Sequence, residues 1–342
     1  MNRKDFAFSN GFARTFLFWG FTFFVGIVAG WFLESRLVKN TIPSSLPVRE
    51  SAEKYSFIHP LLSTGDIPQL RSFDDLSHNI GADIERFVAE GKLSSASVYF
   101  RDLETGRWMG INEDEKYAPA SLLKVALMMT YLKGAESDPN LLSRETVFKK
   151  EYLTNEQDGD NFPRMEVGSS YTIADLIRRM IVYSDNDAKN TLQAILDTES
   201  RQRIFSDFGV TLPQLSDRGD SMSPKAYSIF FRVLYNSSYL SRPLSEGALK
   251  LLSEVQFKDA LSAGIPESVP VSHKFGSRIF TDKDKPSREL HDCGIVYYPD
   301  HPYFICVMTK GSDVADLENV IKDISLITYK FIEKTYPVKS AN

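Results

Sequence analysis

Residues 294–298 read GIVYY and residues 303–309 read YFICVMT, and these two runs decide the fold of the C-terminal part. Both are rich in β-branched and aromatic residues, and Pro299–Pro302 separates them, so they predict a β-hairpin. A further strand is predicted over Val269–Phe280. The amphipathic spacing over Val314–Thr335 predicts a long closing helix.

The beginning of the same domain shows a matching pattern. Apolar residues recur at helical spacing over Asp74–Glu90, and Ser94–Asp102 and Arg107–Asn112 predict two strands. The region between, about residues 121–268, contains helical patterns. We therefore predict an α+β domain over residues 73–338, in which a five-stranded antiparallel sheet is flanked by the N- and C-terminal helices and joined to an all-helical lobe.

An apolar run precedes this domain. Residues 15–33 contain no charged side chain, and nineteen residues are just enough to span a hydrocarbon core of about 30 Å. The run predicts a transmembrane signal anchor with residues 1–14 in the cytoplasm. The alternative is a cleaved signal peptide, whose apolar region is normally shorter. Gly26 and Gly30 could form a helix-dimer face in the anchor.

Residues 34–72 contain four prolines and scattered charges, which predict a linker or stalk. Its apolar run Phe57–Leu62 is a candidate for docking onto the domain. The 342-residue chain has a formal net charge of −5, so it lacks the basic excess typical of nucleic-acid binding. Nucleotide and zinc-protease motifs are missing from the sequence, and we expect neither a metal nor a cofactor.

The two cysteines, Cys293 and Cys306, lie on neighbouring strands of the predicted hairpin. Pairing centred on Asp300 and His301 would place Cys293 opposite Met308. Cys306 would then be a diagonal neighbour, and diagonal neighbours rarely meet disulfide geometry. We therefore expect two free, buried thiols, with a disulfide as the alternative.

A Ser-x-x-Lys motif occurs at Ser121 and Lys124, at the predicted start of a helix. A chain of this length contains about one such motif by chance, and a second lies at Ser51–Lys54 in the linker. Context separates the two, because Lys124 has apolar neighbours and Ser121 lies where a helix dipole stabilises an oxyanion. A lysine in such a setting can act as a base, since desolvation disfavours its charged form. The alternative is a capping serine beside a surface lysine.

Two further motifs follow in the order of the chain. Ser184-Asp185-Asn186 lies between two predicted helices, where Ser and Asp also suit a helix cap. Lys274-Phe275-Gly276 lies on the first of the C-terminal strands. Each motif is weak alone, but the three together describe one site with a serine nucleophile, two lysines and a carboxamide.

The three motifs resemble those of class A β-lactamases and penicillin-binding proteins. The strings Arg101–Gly106 and Asp292–Pro299 resemble the first hairpin and the late strands of the same family. The resemblance covers roughly residues 73–335 and implies the β-lactamase-like fold.

The resemblance also implies a role for each site residue. Ser121 would be the acylated nucleophile, with Lys124 as its base or relay. Ser184 would pass a proton to the leaving nitrogen, and Asn186 would hold the acyl amide. Lys274 would attract the substrate carboxylate, Gly276 would belong to the same substrate-binding strand, and the backbone N–H groups of Ser121 and Ser277 would form the oxyanion hole.

Two departures from the family pattern affect the expected reaction. Phe275 replaces the Thr or Ser that helps to bind the carboxylate, and Ser277 or Arg278 could compensate for the missing hydroxyl. Residues 215–220 contain no Glu to activate the deacylating water, and Asp217 and Asp220 are the nearby acids. Acylation is therefore expected, while fast deacylation is not.

Three functions remain open from the sequence. The first is a serine β-lactamase, the second a D,D-peptidase or penicillin-binding-like enzyme that acts on peptidoglycan stem peptides, and the third a non-catalytic envelope-binding protein. With the anchor predicted at residues 15–33, we expect a single-pass membrane protein with an extracytoplasmic, monomeric domain. Its expected partner is a β-lactam or a stem peptide, and not a nucleic acid.

Overall fold

The computed structural model describes residues 48–49, 55–63, 73–155, 162–210, 219, 221–282 and 285–338. Several predictions concern residues outside these ranges: the anchor at residues 15–33 with Gly26 and Gly30, the second Ser-x-x-Lys at residues 51–54, Asp217 and Asp220. Among the helices of the described ranges, none combines the length and the apolar character needed to cross a bilayer.

The described strands are β1 (Val48–Arg49), β2 (Leu61–Ser63), β3 (Ser95–Asp102), β4 (Trp108–Ile111), β5 (Glu145–Val147), β6 (Ser170–Thr172), β7 (Val271–Asp282), β8 (Lys285–Val296) and β9 (Tyr303–Gly311). Five of them form one antiparallel sheet in the order β4-β3-β9-β8-β7. This confirms the predicted sheet. The short pairs β1-β2 and β5-β6 lie outside it and were not predicted.

The described helices are α1 (Asp74–Ala89), α2 (Leu123–Ser137), α3 (Ile173–Val182), α4 (Asn186–Ile195), α5 (Thr198–Asp207), α6 (Pro224–Tyr235), α7 (Arg242–Ser253) and α8 (Val314–Thr335). Helices α1 and α8 pack against each other, and α8 packs on the sheet. Helices α2 to α7 form the predicted helical lobe, and α6 joins the lobe to β3, β8 and β9.

Helix α2 occupies the centre of the lobe. Nine consecutive residues, Lys124–Leu132, are buried, so the helix contacts protein on all sides instead of along one stripe. A charged side chain in this run is unusual, because burying an ammonium group is unfavourable unless it is hydrogen-bonded. The buried ammonium group of Lys124 therefore needs hydrogen-bond acceptors inside the protein.

The register of the C-terminal hairpin corrects the prediction for the cysteines. Cys293 pairs directly with Cys306, and the two form a disulfide with a Cα–Cα distance of 3.9 Å. The expectation of two free thiols is therefore wrong. The hairpin closes between Val296 and Tyr303, so its centre lies nearer the N-terminus than the assumed centre at Asp300 and His301.

Part of the predicted linker binds the domain. We call residues 55–63 the strap, and its backbone N–H groups at Ser56, Phe57 and Ile58 all donate to the carboxylate of Glu246, at 2.8, 2.9 and 3.0 Å. Ile58 is buried, and Phe57 packs edge-on against the ring of Tyr297. The docking expected for this apolar run is therefore observed at Phe57 and Ile58.

Candidate active site

Ser121 lies in a tight turn that leads directly into α2. The turn is the 3₁₀ segment Ala120–Leu122, and Ala120 has a left-handed φ of 47°. This conformation is unfavourable for residues other than glycine, so it persists only where the surrounding packing enforces it. Ser121 is 8% exposed and lies at the N-terminal end of α2, where the helix dipole favours negative charge.

Two side chains that the sequence did not single out support this turn. Oη of Tyr227 donates to the carbonyl oxygen of Leu122 at 3.0 Å, and Nε2 of His291 donates to that of Ala118 at 3.1 Å. Burial raises the pKa of Tyr227 well above its ordinary value, and the charge of Asp292 adds to the effect. The phenol therefore stays protonated and remains a donor.

The two predicted lysines converge on one hydroxyl group. Nζ of Lys124 donates to Oγ of Ser184 at 2.9 Å and to the carbonyl oxygen of Ser184 at 2.6 Å. Nζ of Lys274 donates to the same Oγ at 2.9 Å and to the carbonyl oxygen of Phe275 at 3.0 Å. We call Lys124, Ser184 and Lys274 the lysine cluster, and none of its members is more than 2% exposed.

Ser184 combines an unusual backbone conformation with a hydroxyl that accepts from both lysines. Ser184 has a left-handed φ of 57° and lies between the end of α3 and the start of α4. A serine hydroxyl has two lone pairs and one proton, so accepting from both lysines directs its own proton elsewhere. The arrangement can therefore deliver a proton to a third group, which is the role that the resemblance implies for Ser184.

The capping interpretation of this motif is correct for Asp185 but not for Ser184. Oδ1 of Asp185 accepts the backbone N–H of Asp187 at 2.9 Å and that of Ala188 at 3.3 Å, which caps α4. Its other oxygen lies 3.3 Å from Nη1 of Arg179. Asp185 thus fixes the start of α4, and Ser184 is left to contact the lysines.

Gly276 allows β7 to approach the turn that carries Ser121. A Cβ atom at Gly276 would lie 2.9 Å from the carbonyl oxygen of Pro119 and 3.1 Å from the backbone nitrogen of Leu122. Both distances are shorter than ordinary van der Waals contact, so any side chain here would push the strand and the turn apart. The glycine is therefore explained by a close approach of two backbones.

The remaining predicted residues lie on the same elements. Asn186 is the first residue of α4, two positions after Ser184, and is half-buried. Ser277 follows Gly276 on β7 and is also half-buried. The structure thus joins Lys124, Ser184 and Lys274 by hydrogen bonds. Asn186 and Ser277 lie two and three positions along the chain from Ser184 and Lys274.

Phe275, the first departure from the family pattern, is part of an aromatic pair beside the lysine cluster. Its ring stacks on that of Phe257, with centroids 4.2 Å apart, and is 5% exposed. Nζ of Lys274 lies 4.0 Å from the centroid of the Phe275 ring, which is within the range of a cation–π contact. The ring therefore contacts the ammonium group that the family uses for a carboxylate. The second departure, the missing Glu, concerns residues 215–220, of which the structure describes only Gly219, so it stays a prediction.

Known proteins with similar sequences belong to the family that the three motifs resemble. The model of the beta-lactamase enzyme family matches residues 79–332. Beta-lactamase L2 of Stenotrophomonas maltophilia is 32% identical over 95 residues, which cover 28% of this chain and 30% of that protein. The match thus spans less than a third of the length of this curated relative.

Solved structures share the fold over most of the chain. PBP-A is 20% identical, with a TM-score of 0.65 over 78% of this chain and 99% of that chain. A β-lactamase from Xanthomonas campestris is 18% identical, with a TM-score of 0.63 over 75% and 98%. At these identities the likeness shows the fold alone, whereas the family model covers residues 79–332 of the 342. This chain therefore belongs to the beta-lactamase enzyme family.

Proposed function

We propose that this protein is a serine hydrolase of the β-lactamase class, which forms an acyl-enzyme at Ser121 with β-lactams or related D-Ala-D-Ala amides. The observation that carries the proposal is the lysine cluster, where Lys124 and Lys274 both donate to the hydroxyl of Ser184. Membership of the family supports the same reaction class. PBP-A, which shares the fold, has a variant solved as an acyl-enzyme complex with penicillin G.

In the proposed acylation, Lys124 accepts the hydroxyl proton of Ser121, because the two residues lie three positions apart on one side of a helical turn. Oγ of Ser121 bonds to the lactam carbonyl carbon, and the backbone N–H groups of Ser121 and Ser277 stabilise the oxyanion. The C–N bond then breaks, and the hydroxyl proton of Ser184 passes to the leaving nitrogen. The proton on Lys124 replaces it, so the lysine returns to its neutral form.

The other site residues bind substrate in this proposal. Lys274 attracts the substrate carboxylate, and the amide of Asn186 holds the acyl amide. Gly276 keeps β7 close enough to the Ser121 turn for Ser277 to contribute to the oxyanion hole. Phe275 supplies a ring where the family has a hydroxyl, so the carboxylate would be held by Lys274 with help from Ser277 or Arg278.

A second candidate is a D,D-peptidase or penicillin-binding-like enzyme of peptidoglycan. The observation that favours it is the lack of Glu in residues 215–220, because slow deacylation makes a lactam an inhibitor instead of a substrate. A non-catalytic envelope-binding protein is the third outcome that an experiment must distinguish.

We further propose that residues 15–33 anchor the protein in the cell membrane, with a monomeric domain on the extracytoplasmic side. A disulfide between Cys293 and Cys306 supports this location, since disulfides persist in oxidising compartments. The anchors could pair through Gly26 and Gly30. Protease treatment of intact and broken cells tests the orientation, because an extracytoplasmic domain is digested from its own side of the membrane.

The main experiment treats the purified full-length chain with penicillin G and follows intact mass and lactam hydrolysis together. Ring opening loses no leaving group, so an acyl-enzyme gains the full mass of the lactam. Rapid hydrolysis supports a β-lactamase, and a long-lived adduct supports the penicillin-binding-like alternative. In both cases Ser121→Ala abolishes the signal, while Ser228→Ala, which removes another buried hydroxyl, retains it.

The absence of both adduct and hydrolysis, with several lactams and a D-Ala-D-Ala peptide, would leave only the binding protein. An adduct that persists on the Ser121→Ala variant would contradict Ser121 as the nucleophile. Peptide mapping of the adduct then identifies the residue that reacted.

A further inference from the structure

Three polar side chains outside the lysine cluster form a second hydrogen-bonded group. Oγ of Ser262 lies 3.1 Å from Nε2 of His273, and Nδ1 of His273 lies 2.8 Å from Oδ1 of Asp292. Ser262 belongs to the 3₁₀ segment Leu261–Gly264, His273 to β7 and Asp292 to β8. We call these three residues the histidine chain.

The histidine chain is separate from the lysine cluster, although they share a strand. Successive side chains of a strand point to opposite faces of the sheet, so His273 and its neighbour Lys274 point in opposite directions. Asp292 pairs in register with Phe275 and therefore lies on the same face as His273. Chemistry at Ser262 would thus use different side chains from those proposed for Ser121.

The contacts of Asp292 determine the state of the imidazole. Its Oδ2 accepts the backbone N–H of Leu261 at 3.2 Å, so both carboxylate oxygens have partners although the residue is fully buried. A carboxylate beside Nδ1 favours the tautomer with its proton on Nδ1. Nε2 is then an acceptor, and the hydroxyl of Ser262 donates to it.

Burial and packing fit a hydroxyl near solvent that donates to a buried imidazole. Asp292 and His273 have no exposed surface, whereas Ser262 is half-buried, so only the hydroxyl end of the chain lies near solvent. Gly294 is the register partner of His273, and a Cβ atom there would lie 2.5 Å from the Cβ atom of His273. The glycine therefore provides the space for the buried imidazole.

We propose that Ser262 is a second activated nucleophile of this chain, which reacts with small activated esters and sulfonyl fluorides. A carboxylate, an imidazole and a serine in this order are the arrangement by which a serine hydroxyl becomes reactive. With an ester, Oγ of Ser262 bonds to the carbonyl carbon and its proton passes to Nε2 of His273. The C–O bond then breaks, and the proton passes from Nε2 to the leaving alkoxide, or to solvent when nitrophenolate leaves. With a sulfonyl fluoride, Oγ bonds to sulfur, the S–F bond breaks, fluoride leaves, and the proton passes through Nε2 to solvent. Asp292 stabilises the imidazolium that forms.

The test uses the full-length Ser121→Ala variant, so that no reaction at the lysine cluster contributes. The probes are p-nitrophenyl acetate, followed by nitrophenolate release, and phenylmethanesulfonyl fluoride, followed by intact mass and peptide mapping. We expect one sulfonyl adduct on the peptide that contains Ser262. Adding Ser262→Ala abolishes it. Adding Ser253→Ala, which removes another half-buried hydroxyl, retains it.

A hydrogen-bond chain that only ties the 3₁₀ segment to the sheet gives different results. Adding Asp292→Asn retains the shape of the side chain but removes its charge, and we expect labelling to slow by at least about tenfold. Labelling of Ser262 at an unchanged rate in this variant, or no labelling of Ser262 at all, would overturn the proposal. Thermal unfolding of each variant shows whether the fold is retained, and the Ser262→Ala comparison remains decisive if Asp292→Asn does not fold.

Discussion

The lysine cluster and the histidine chain begin at adjacent residues of β7 and show two ways of using a serine hydroxyl. In the first, Lys124 and Lys274 donate to Ser184, so its proton is directed towards a third group. In the second, His273 is oriented by a buried carboxylate and accepts from Ser262. In the two roles that we propose, the groups around each hydroxyl differ: two ammonium groups donate to Ser184, and an imidazole accepts from Ser262.

The largest expected effect comes from breaking the lysine cluster alone. We expect Lys124→Ala to slow acylation by penicillin G by about 10³-fold, because the base for Ser121 and a donor to Ser184 are both lost. Lys133→Ala, which removes a half-buried lysine of the same helix outside the lysine cluster, is the control. Stopped-flow measurements, or intact masses of samples quenched at successive times, give the acylation rate. A decrease of less than tenfold in this rate would argue against Lys124 as the base. Labelling of Ser262 should not change.

The disulfide gives the next largest effect. Cys293 lies opposite Lys274 in the sheet, and its bond to Cys306 joins two residues that are 13 positions apart in the sequence. A loop of this length predicts a loss of about 3 kcal/mol in the free energy of unfolding when the bond is reduced. Urea unfolding with and without a reductant measures the loss, and Cys293→Ala with Cys306→Ala provides a variant on which the reductant has no effect. Two results together would contradict the disulfide: a reductant leaves the unfolding of the native chain unchanged, and both thiols of the unfolded chain are alkylated without any reductant.

A smaller effect is expected from the contact between β7 and the Ser121 turn. Gly276→Ala places a methyl group 2.9 Å from the carbonyl oxygen of Pro119, so we expect a loss of about 1–3 kcal/mol in stability and slower acylation. Gly81→Ala is the matched control, because a Cβ atom at Gly81 has nothing within 4 Å and alanine favours the helix. Equal stability of the two variants would contradict the close approach.

The smallest effect concerns the pH dependence of stability. Burial acts to raise the pKa of Glu289, but the neighbouring His291 and the charge of Arg278 outweigh it, so its pKa lies below the ordinary value. A lowered folded-state pKa contributes stability above the unfolded pKa of about 4.5, which is lost as the pH falls through the folded value. We expect Glu289→Gln to weaken this acid dependence in urea unfolding between pH 3 and pH 7. The exposed Glu85→Gln should not, and an equal change in both would contradict the assignment.

The sequence predicts the elements that have strong periodicity or a clear turn. The helices α1 and α8 and the strands β3, β4, β7 and β9 were predicted close to their observed bounds. Strand β8 begins at Lys285, nine residues before its predicted start at Gly294. Helix α5 was missed because only Ile204 and Phe205 of its residues are buried, which leaves a weak apolar pattern. The strands of the pairs β1-β2 and β5-β6 are too short to show an alternation.

Contacts between distant residues were harder to predict. The motif spacing identified Lys124, Ser184 and Lys274, but nothing in the sequence indicates that both lysines bond the same hydroxyl or that Ser184 has a left-handed backbone. The cysteine pairing failed because a shift in the hairpin centre changes every partner. Ser262, His273 and Asp292 belong to no motif, and only the pairing of β7 with β8 and the packing of the 3₁₀ segment bring them together.

The strap donates three backbone N–H groups to Glu246, and this contact limits where the chain can be shortened. A protease cleavage that removed everything before Phe73 would take away buried Ile58 and leave the Glu246 carboxylate without these donors. A domain excised for study should therefore begin ahead of Val48, because β1 pairs with β2 of the strap.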